Sequence, residues 1–132
     1  MANQYSTTVR NARLDAVEST IGTAPKLQIR TGSPPANCAA ADTGTLLVEF
    51  TLPSDWMADA SNATKQKSGT WEANAVASGI AGHYRIKNNA GTVCHIQGTV
   101  GISGADLLID NTNIASGQLV RINTYQWTEP ES

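Results

Sequence analysis

The sequence predicts a mainly β domain: an antiparallel β-sandwich of jelly-roll type, preceded by one N-terminal amphipathic helix. Three observations carry this expectation. After Lys26 the chain is a succession of short strand-like runs separated by Gly, Pro, Asn and Asp at regular intervals. Its large apolar residues are mostly Ile, Leu and Val, which suit a compact β core. Only the first stretch places apolar groups at helical spacing. A length of 132 residues fits one domain with a single core. That domain is read as 1–132, with the helix at about 6–21, the sandwich at about 26–128 and a frayed tail at 129–132.

Ser6 or Thr7 caps the helix. Val9, Arg13 and Val17, with Leu14, Ala16 and Ile21, supply the helical spacing; Gly22 and Pro25 end it. An isolated helix of this length is marginal, so it must pack on its own β domain or on a neighbouring subunit. Lys26 to Thr31 is the first strand, with Leu27 and Ile29 on one face. Gly32 to Thr45 is a loop of the length that often carries function. Leu46 to Leu52 is the strongest strand and Pro53 ends it. Lys65 to Glu72 is a more exposed strand, and Ala75 to Ser78 a short one.

Gly82 to Gly98 reads as a hairpin around the turn Asn89-Ala90-Gly91. This register sets Tyr84 opposite Ile96 and Ile86 opposite Cys94, all four on the core face. His83, Arg85, Lys87, Val93, His95 and Gln97 take the other face. Thr99 to Ile102 continues the sheet, and Asp106 to Asp110 is a short strand. Ile114 dips inward from a turn region, and Gln118 to Thr128 is a final long strand. Seven to nine short strands with this punctuation fit a sandwich or jelly roll and not a parallel sheet.

Charged residues make up 15% of the chain, against about 25% in typical soluble domains. Low charge suits a surface that lies against other subunits. The net charge is -2 and no basic tract appears, so nucleic acid is not an expected partner. No apolar run is long enough to span a membrane. Met1 to Thr20 has no apolar h-region and does not read as a secretory signal. Cytoplasmic synthesis argues for thiols at Cys38 and Cys94 rather than a disulfide.

No catalytic, cofactor-binding or metal-ligating set emerges. Cys38, Cys94, His83 and His95 match a zinc site by count only, because Cys94 and His95 are adjacent in a strand, point to opposite faces and do not readily share one metal. The hairpin register buries Cys94 among apolar groups, where a thiol is inert, and Cys38 has no nearby cation. Asp106 and Asp110 stand about 13 Å apart at strand rise, beyond the roughly 5–9.5 Å of a glycosidase pair. With Asn111 they lack a calcium-loop motif. Gly98 to Gly104 lacks the helix and lysine of a phosphate loop. Asn62-Ala63-Thr64 is a sequon without a secretory context. Trp56, Trp71 and Trp127 form a sugar platform if exposed, or core if buried. An enzyme is therefore not expected.

Several stretches carry a resemblance: Tyr5 to Ala16, Leu27 to Ala36, Gly44 to Leu47, Gly69-Thr70-Trp71, Ala81 to Ile86 and Asn111 to Gln118. Together they resemble small virion structural proteins of tailed bacteriophages, most closely capsid cement or decoration proteins. The resemblance implies a β-sandwich or jelly-roll subunit on the outer capsid surface, assembled in the host bacterial cytoplasm. It implies a homo-oligomer, dimer or trimer, whose partner is the major capsid protein or another virion protein. The helix Ser6 to Ile21 and the loop Gly32 to Thr45 are the expected contact elements. A tail-associated receptor- or carbohydrate-binding module, or another head or tail protein, is the alternative.

Overall fold

The structure, a computed structural model, describes residues 4–128. Among these residues one helix, α1 (Thr7–Ile21), precedes ten short strands. Ser6 caps the helix, its Oγ accepting from the Val9 amide at 3.2 Å, and Gly22 closes it with an N–H to the Glu18 carbonyl.

The main sheet is built on β1 (Lys26–Thr31), which pairs antiparallel with β2 (Leu46–Thr51) on one side and β5 (Gly79–Lys87) on the other. The sheet continues through β6 (Cys94–Gly101) to β7 (Leu107–Leu108), and this last pairing is parallel. β8 (Asn113–Ile114) pairs with the start of β5. Two ribbons complete the fold: β3 (Thr64–Gln66) with β10 (Gln126–Thr128), and β4 (Trp71–Asn74) with β9 (Leu119–Ile122). The protein is thus mainly β, with a mixed sheet that is antiparallel except at one edge.

β1 spans the residues expected of it. Leu27 and Ile29 lie between Phe50 and Val48 of β2 and Ile86 and Tyr84 of β5, all buried. Two expected long strands are each divided. Lys65 to Glu72 breaks at Ser68–Gly69, where Gly69 takes φ +78. Gln118 to Thr128 breaks at residues 123–125, and Tyr125 turns inward to 5% exposure. Residues 75–78 form no strand, and of Asp106 to Asp110 only Leu107–Leu108 is paired as a strand.

The hairpin register differs from the expected one. Asn88 accepts the amides of Thr92 and Val93 on its side chain, which widens the turn. A register shift follows, so that Lys87 faces Cys94 while Ile86 faces Ile96 and Tyr84 faces Gly98. Tyr84, Ile86 and Ile96 keep the core side. Cys94 does not: it is turned to the opposite face, beside Lys87 and Arg85. Gly98 is required where it stands, because a Cβ there would press on the Tyr84 ring and the Asp106 carboxylate.

The docking face of the helix is also not the expected one. Val9 and Val17 remain 43% and 38% exposed, whereas Leu14 and Ile21 are buried. Beside these two runs a polar stripe, Asn11, Asp15 and Glu18, at helical spacing. Asn11 Oδ1 accepts the Ala63 amide at 2.9 Å, and Asp15 Oδ1 accepts the Ala60 amide at 3.1 Å. Lys65, only 1% exposed, donates to Asp15 at 2.7 Å, to Glu18 at 2.8 Å and to the Ala58 carbonyl at 2.8 Å. The receiving segment is a tight turn, Ser61 to Thr64, with Asn62 and Ala63 both at positive φ. The helix is therefore held on its own β domain by directed polar bonds as much as by apolar burial.

Removing the Lys65 ammonium leaves the Ala58 carbonyl and both helix carboxylates without this partner. Lys65→Ala is expected to lower stability by about 3 kcal/mol in urea denaturation. Val17→Ala, on the exposed helix face, is expected to stay within about 0.5 kcal/mol.

Candidate functional site

Three features of the fold stand apart from the packing of the core. The first is the loop from Gly32 to Thr45, which lies over the second face of the main sheet. Beneath it are His83, Arg85 and Lys87 of β5, exposed by 0%, 2% and 7%. Alternation places these residues on the face opposite the core side, and the loop is what covers that face. Arg85 Nη2 donates to the carbonyls of Asn37 (3.2 Å), Cys38 (3.0 Å) and Ala40 (3.0 Å), and Nη1 donates to Asp42. Lys87 Nζ reaches Asp42 at 2.6 Å and Arg30 reaches it at 3.3 Å. Gln97 Nε2 donates to the Pro35 carbonyl at 2.7 Å, and His83 Nδ1–H to that of Gly32 at 3.0 Å. Gly82 lies so close to Gly32 that a Cβ would overlap the Gly32 carbonyl.

Burial pushes the Asp42 carboxyl up, but the hydrogen bonds from Lys87 and Arg85 and the charges of Arg30 and Lys87 outweigh it and hold the group down at about 2. With the carbonyls turned inward, the loop presents Ala36, Asn37, Ala39 and Ala41 to solvent. Fastened from below and carrying short side chains outside, it loses little conformational freedom when something binds it.

The second feature is an aromatic cluster that opens into a cleft. Trp56 and Trp71 are buried to 0% and 1% and hydrogen-bonded through their indole N–H groups to the carbonyls of Gly22 and Ser68. Trp127 meets Trp56 edge-on at 5.6 Å, and Tyr125 bridges Trp71 and Tyr84 at 5.6 and 5.7 Å. The Tyr84 and Tyr125 hydroxyls are 2.7 Å apart. Burial pushes both phenols up, Tyr125 to about 12. A cleft of about 470 Å³ between the helix and β6 is lined by Val17, His95, Asp106, both tyrosines and Trp127. The buried Trp127 Nε1 makes no well-formed hydrogen bond. Of the three tryptophans, then, only Trp127 borders solvent, and it presents a rim to a cleft.

The third feature is an apolar ribbon. The chain from Asn74 to Ile80 runs antiparallel to that from Asn113 to Leu119: Asn74 faces Leu119, the Ala75 amide donates to the Gln118 carbonyl, and Ile80 faces Asn113. Val76, Ile80 and Leu119 project outward from it, exposed by 64%, 63% and 53%.

The remaining candidate residues are dispersed. His83 is buried under the loop, not on the surface, and His95 lies at the cleft. Asp106 fastens the turn after β6 by accepting the Thr99 amide at 3.0 Å, and Asp110 is exposed. Among the described residues no three His, Cys, Asp or Glu side chains come together as a metal site. Cys94, expected among apolar groups, lies instead with its sulfur 2.6 Å from that of Cys38. No helix among the described residues is long and apolar enough to cross a membrane. No protein-family model matches the chain, and neither a curated protein nor a solved structure is significantly similar to it.

Asp42 has a lower carboxyl value in the folded protein than its ordinary 3.8, so its contribution to the loop is complete above about pH 4 and is lost as pH falls toward 2. Amide hydrogen exchange at residues 36–42 is expected to accelerate across that window ahead of the main sheet. Asp42→Asn should show the faster loop exchange already at neutral pH.

Proposed function

We propose that this chain is a structural protein of a tailed-phage virion, a cement or decoration protein. It binds the outer capsid surface as a homo-oligomer, dimer or trimer, and stabilises contacts between capsomers. The observation that carries a protein-binding role is the ribbon with Val76, Ile80 and Leu119 turned to solvent. Burying one such aliphatic side chain is worth roughly 1.5–3 kcal/mol, enough for three on one ribbon to drive association. The fastened loop, with its short outer side chains, supplies a second, pre-shaped contact surface. Val9 and Val17 on the outer helix face supply a third. The sequence resemblance supplies the kind of particle. On a repeating lattice many such weak contacts add through avidity. In this reading the two ribbons form the second layer of a jelly-roll-like sandwich. The protein is assembled in the host cytoplasm, resides in the virion and has no enzymatic task.

The cleft favours a second reading, a carbohydrate-binding module of a phage tail, because it combines an indole rim with hydroxyl, imidazole and carboxylate groups. In that case glycan-array binding is expected, with at least a tenfold loss on His95→Ala; silence on the array removes this reading.

The main proposal is tested by sedimentation of the isolated chain and by co-sedimentation with tailed-phage capsids. The wild type is expected to be a dimer or trimer and to pellet with the capsids. Ile80→Asp, fully folded by circular dichroism, is expected to weaken one or both at least tenfold. A monomer that stays in the supernatant overturns the proposal.

A further inference from the structure

We propose that Cys38 and Cys94 are a dithiol clasp that closes into an intramolecular disulfide, locking the loop from Gly32 to Thr45 onto β6. The inference does not depend on the capsid reading. Its basis is that the two sulfurs are brought together by independent anchors 56 residues apart in sequence. Cys94 is turned to the loop side by the register shift that sets it opposite Lys87. Cys38 is placed by its own carbonyl, which accepts Arg85 Nη2 at 3.0 Å, and by the flanking Asn37 and Ala40 carbonyls on the same guanidinium. The sulfurs are 2.6 Å apart, so only about half an ångström separates them from the disulfide bond length of about 2.05 Å. Both residues are half-buried, which leaves a path for a small reagent.

The chemistry is a two-step exchange with a small-molecule disulfide such as oxidised glutathione. The Cys38 thiolate attacks one sulfur of the reagent, forming a mixed disulfide and expelling the first thiolate, which takes up a proton. The Cys94 sulfur then attacks Cys38, its proton passing to the second departing thiolate. Two cysteine thiols are oxidised, one reagent disulfide is reduced to two thiols, and no other reactant is required. This order suits the site. Burial and the neighbouring Cys38 push the Cys94 thiol up to about 12, against the opposing pull of the Arg85 charge, so Cys94 is the resolving and not the initiating sulfur. In a reducing cytoplasm the clasp stays open; in an oxidising medium it closes.

The test uses the full chain, with oxidised glutathione in one sample and dithiothreitol in the other. Closure is expected to remove both titratable thiols, lower the intact mass by two hydrogens and yield a 38–94 cross-linked peptide after digestion. It should raise the thermal midpoint by about 10 °C relative to the reduced protein. The double variant Cys38→Ser/Cys94→Ser, folded by circular dichroism, should lose that redox-dependent shift. Thiols that persist in oxidised glutathione while dithiothreitol-treated and untreated samples melt together overturn the proposal. So does a bridge found only between two chains on a non-reducing gel.

Discussion

The arrangement of this domain depends on one buried guanidinium. Arg85 lies on the central strand of the sheet, and its two terminal nitrogens serve four acceptors, three of them backbone carbonyls of a single loop. Burying a charge is costly unless its donors are met, and here the loop meets those of both terminal nitrogens, while the Nε–H is left without a partner. In return the loop gains a fixed shape, since its carbonyls must converge on one planar group. The same bond network buries β5 on both faces, turns the alanines outward and holds Cys38 within reach of Cys94. If the guanidinium were removed, the loop would lose its template and the sheet its cover together.

The helix repeats this construction on a smaller scale. Lys65 is a buried cation under a flap, reaching two carboxylates of the helix and one backbone carbonyl of its own segment. Apolar burial does not specify the rotation of a helix with only Leu14 and Ile21 turned inward. The stripe of Asn11, Asp15 and Glu18 does, because each side chain meets a partner at a fixed position: Asn11 the Ala63 amide, Asp15 the Ala60 amide and Lys65, and Glu18 Lys65. The aromatic cluster is the opposite case: a packed apolar centre in which the polar tips of Trp56, Trp71, Tyr84 and Tyr125 are tied to backbone carbonyls or to each other, and that of Trp127 is not.

How much could be read from sequence depends on how local each signal is. The limits of β1, the Ser6 cap, the Gly22 stop and the extent of the loop depend on residues within a few positions, and all four are found in place. The docking face of the helix was not legible, because Asn11 and Asp15 recognise amides some 45 to 52 residues away. Alternation correctly put Tyr84 and Ile86 on the core side and His83, Arg85 and Lys87 on the other face, but gave no sign that this other face is covered. A period of two reports which residues share a face, not whether a distant loop covers it. The cysteine pair was hidden for a sharper reason. A shift of one residue near the turn reverses the face of the neighbouring strand residues, and the side chain of Asn88 and the bulge after Ile86 together produce such a shift. The tail at 129–132 lies outside the described residues.

The last strand of the main sheet also governs how this molecule can meet its neighbours. β7 is two residues long and lies between Asp106 and Asp110, both exposed. On the opposite side of the sheet, the Leu47 carbonyl of β2 is already taken by the Val76 amide at 2.7 Å. The β7 margin offers no long row of free peptide groups to a second chain, and the β2 margin is interrupted at Leu47. Copies crowded side by side are thus steered away from backbone-to-backbone zippering. Association falls to side chains, which can be strengthened or weakened one substitution at a time without opening a route to fibres.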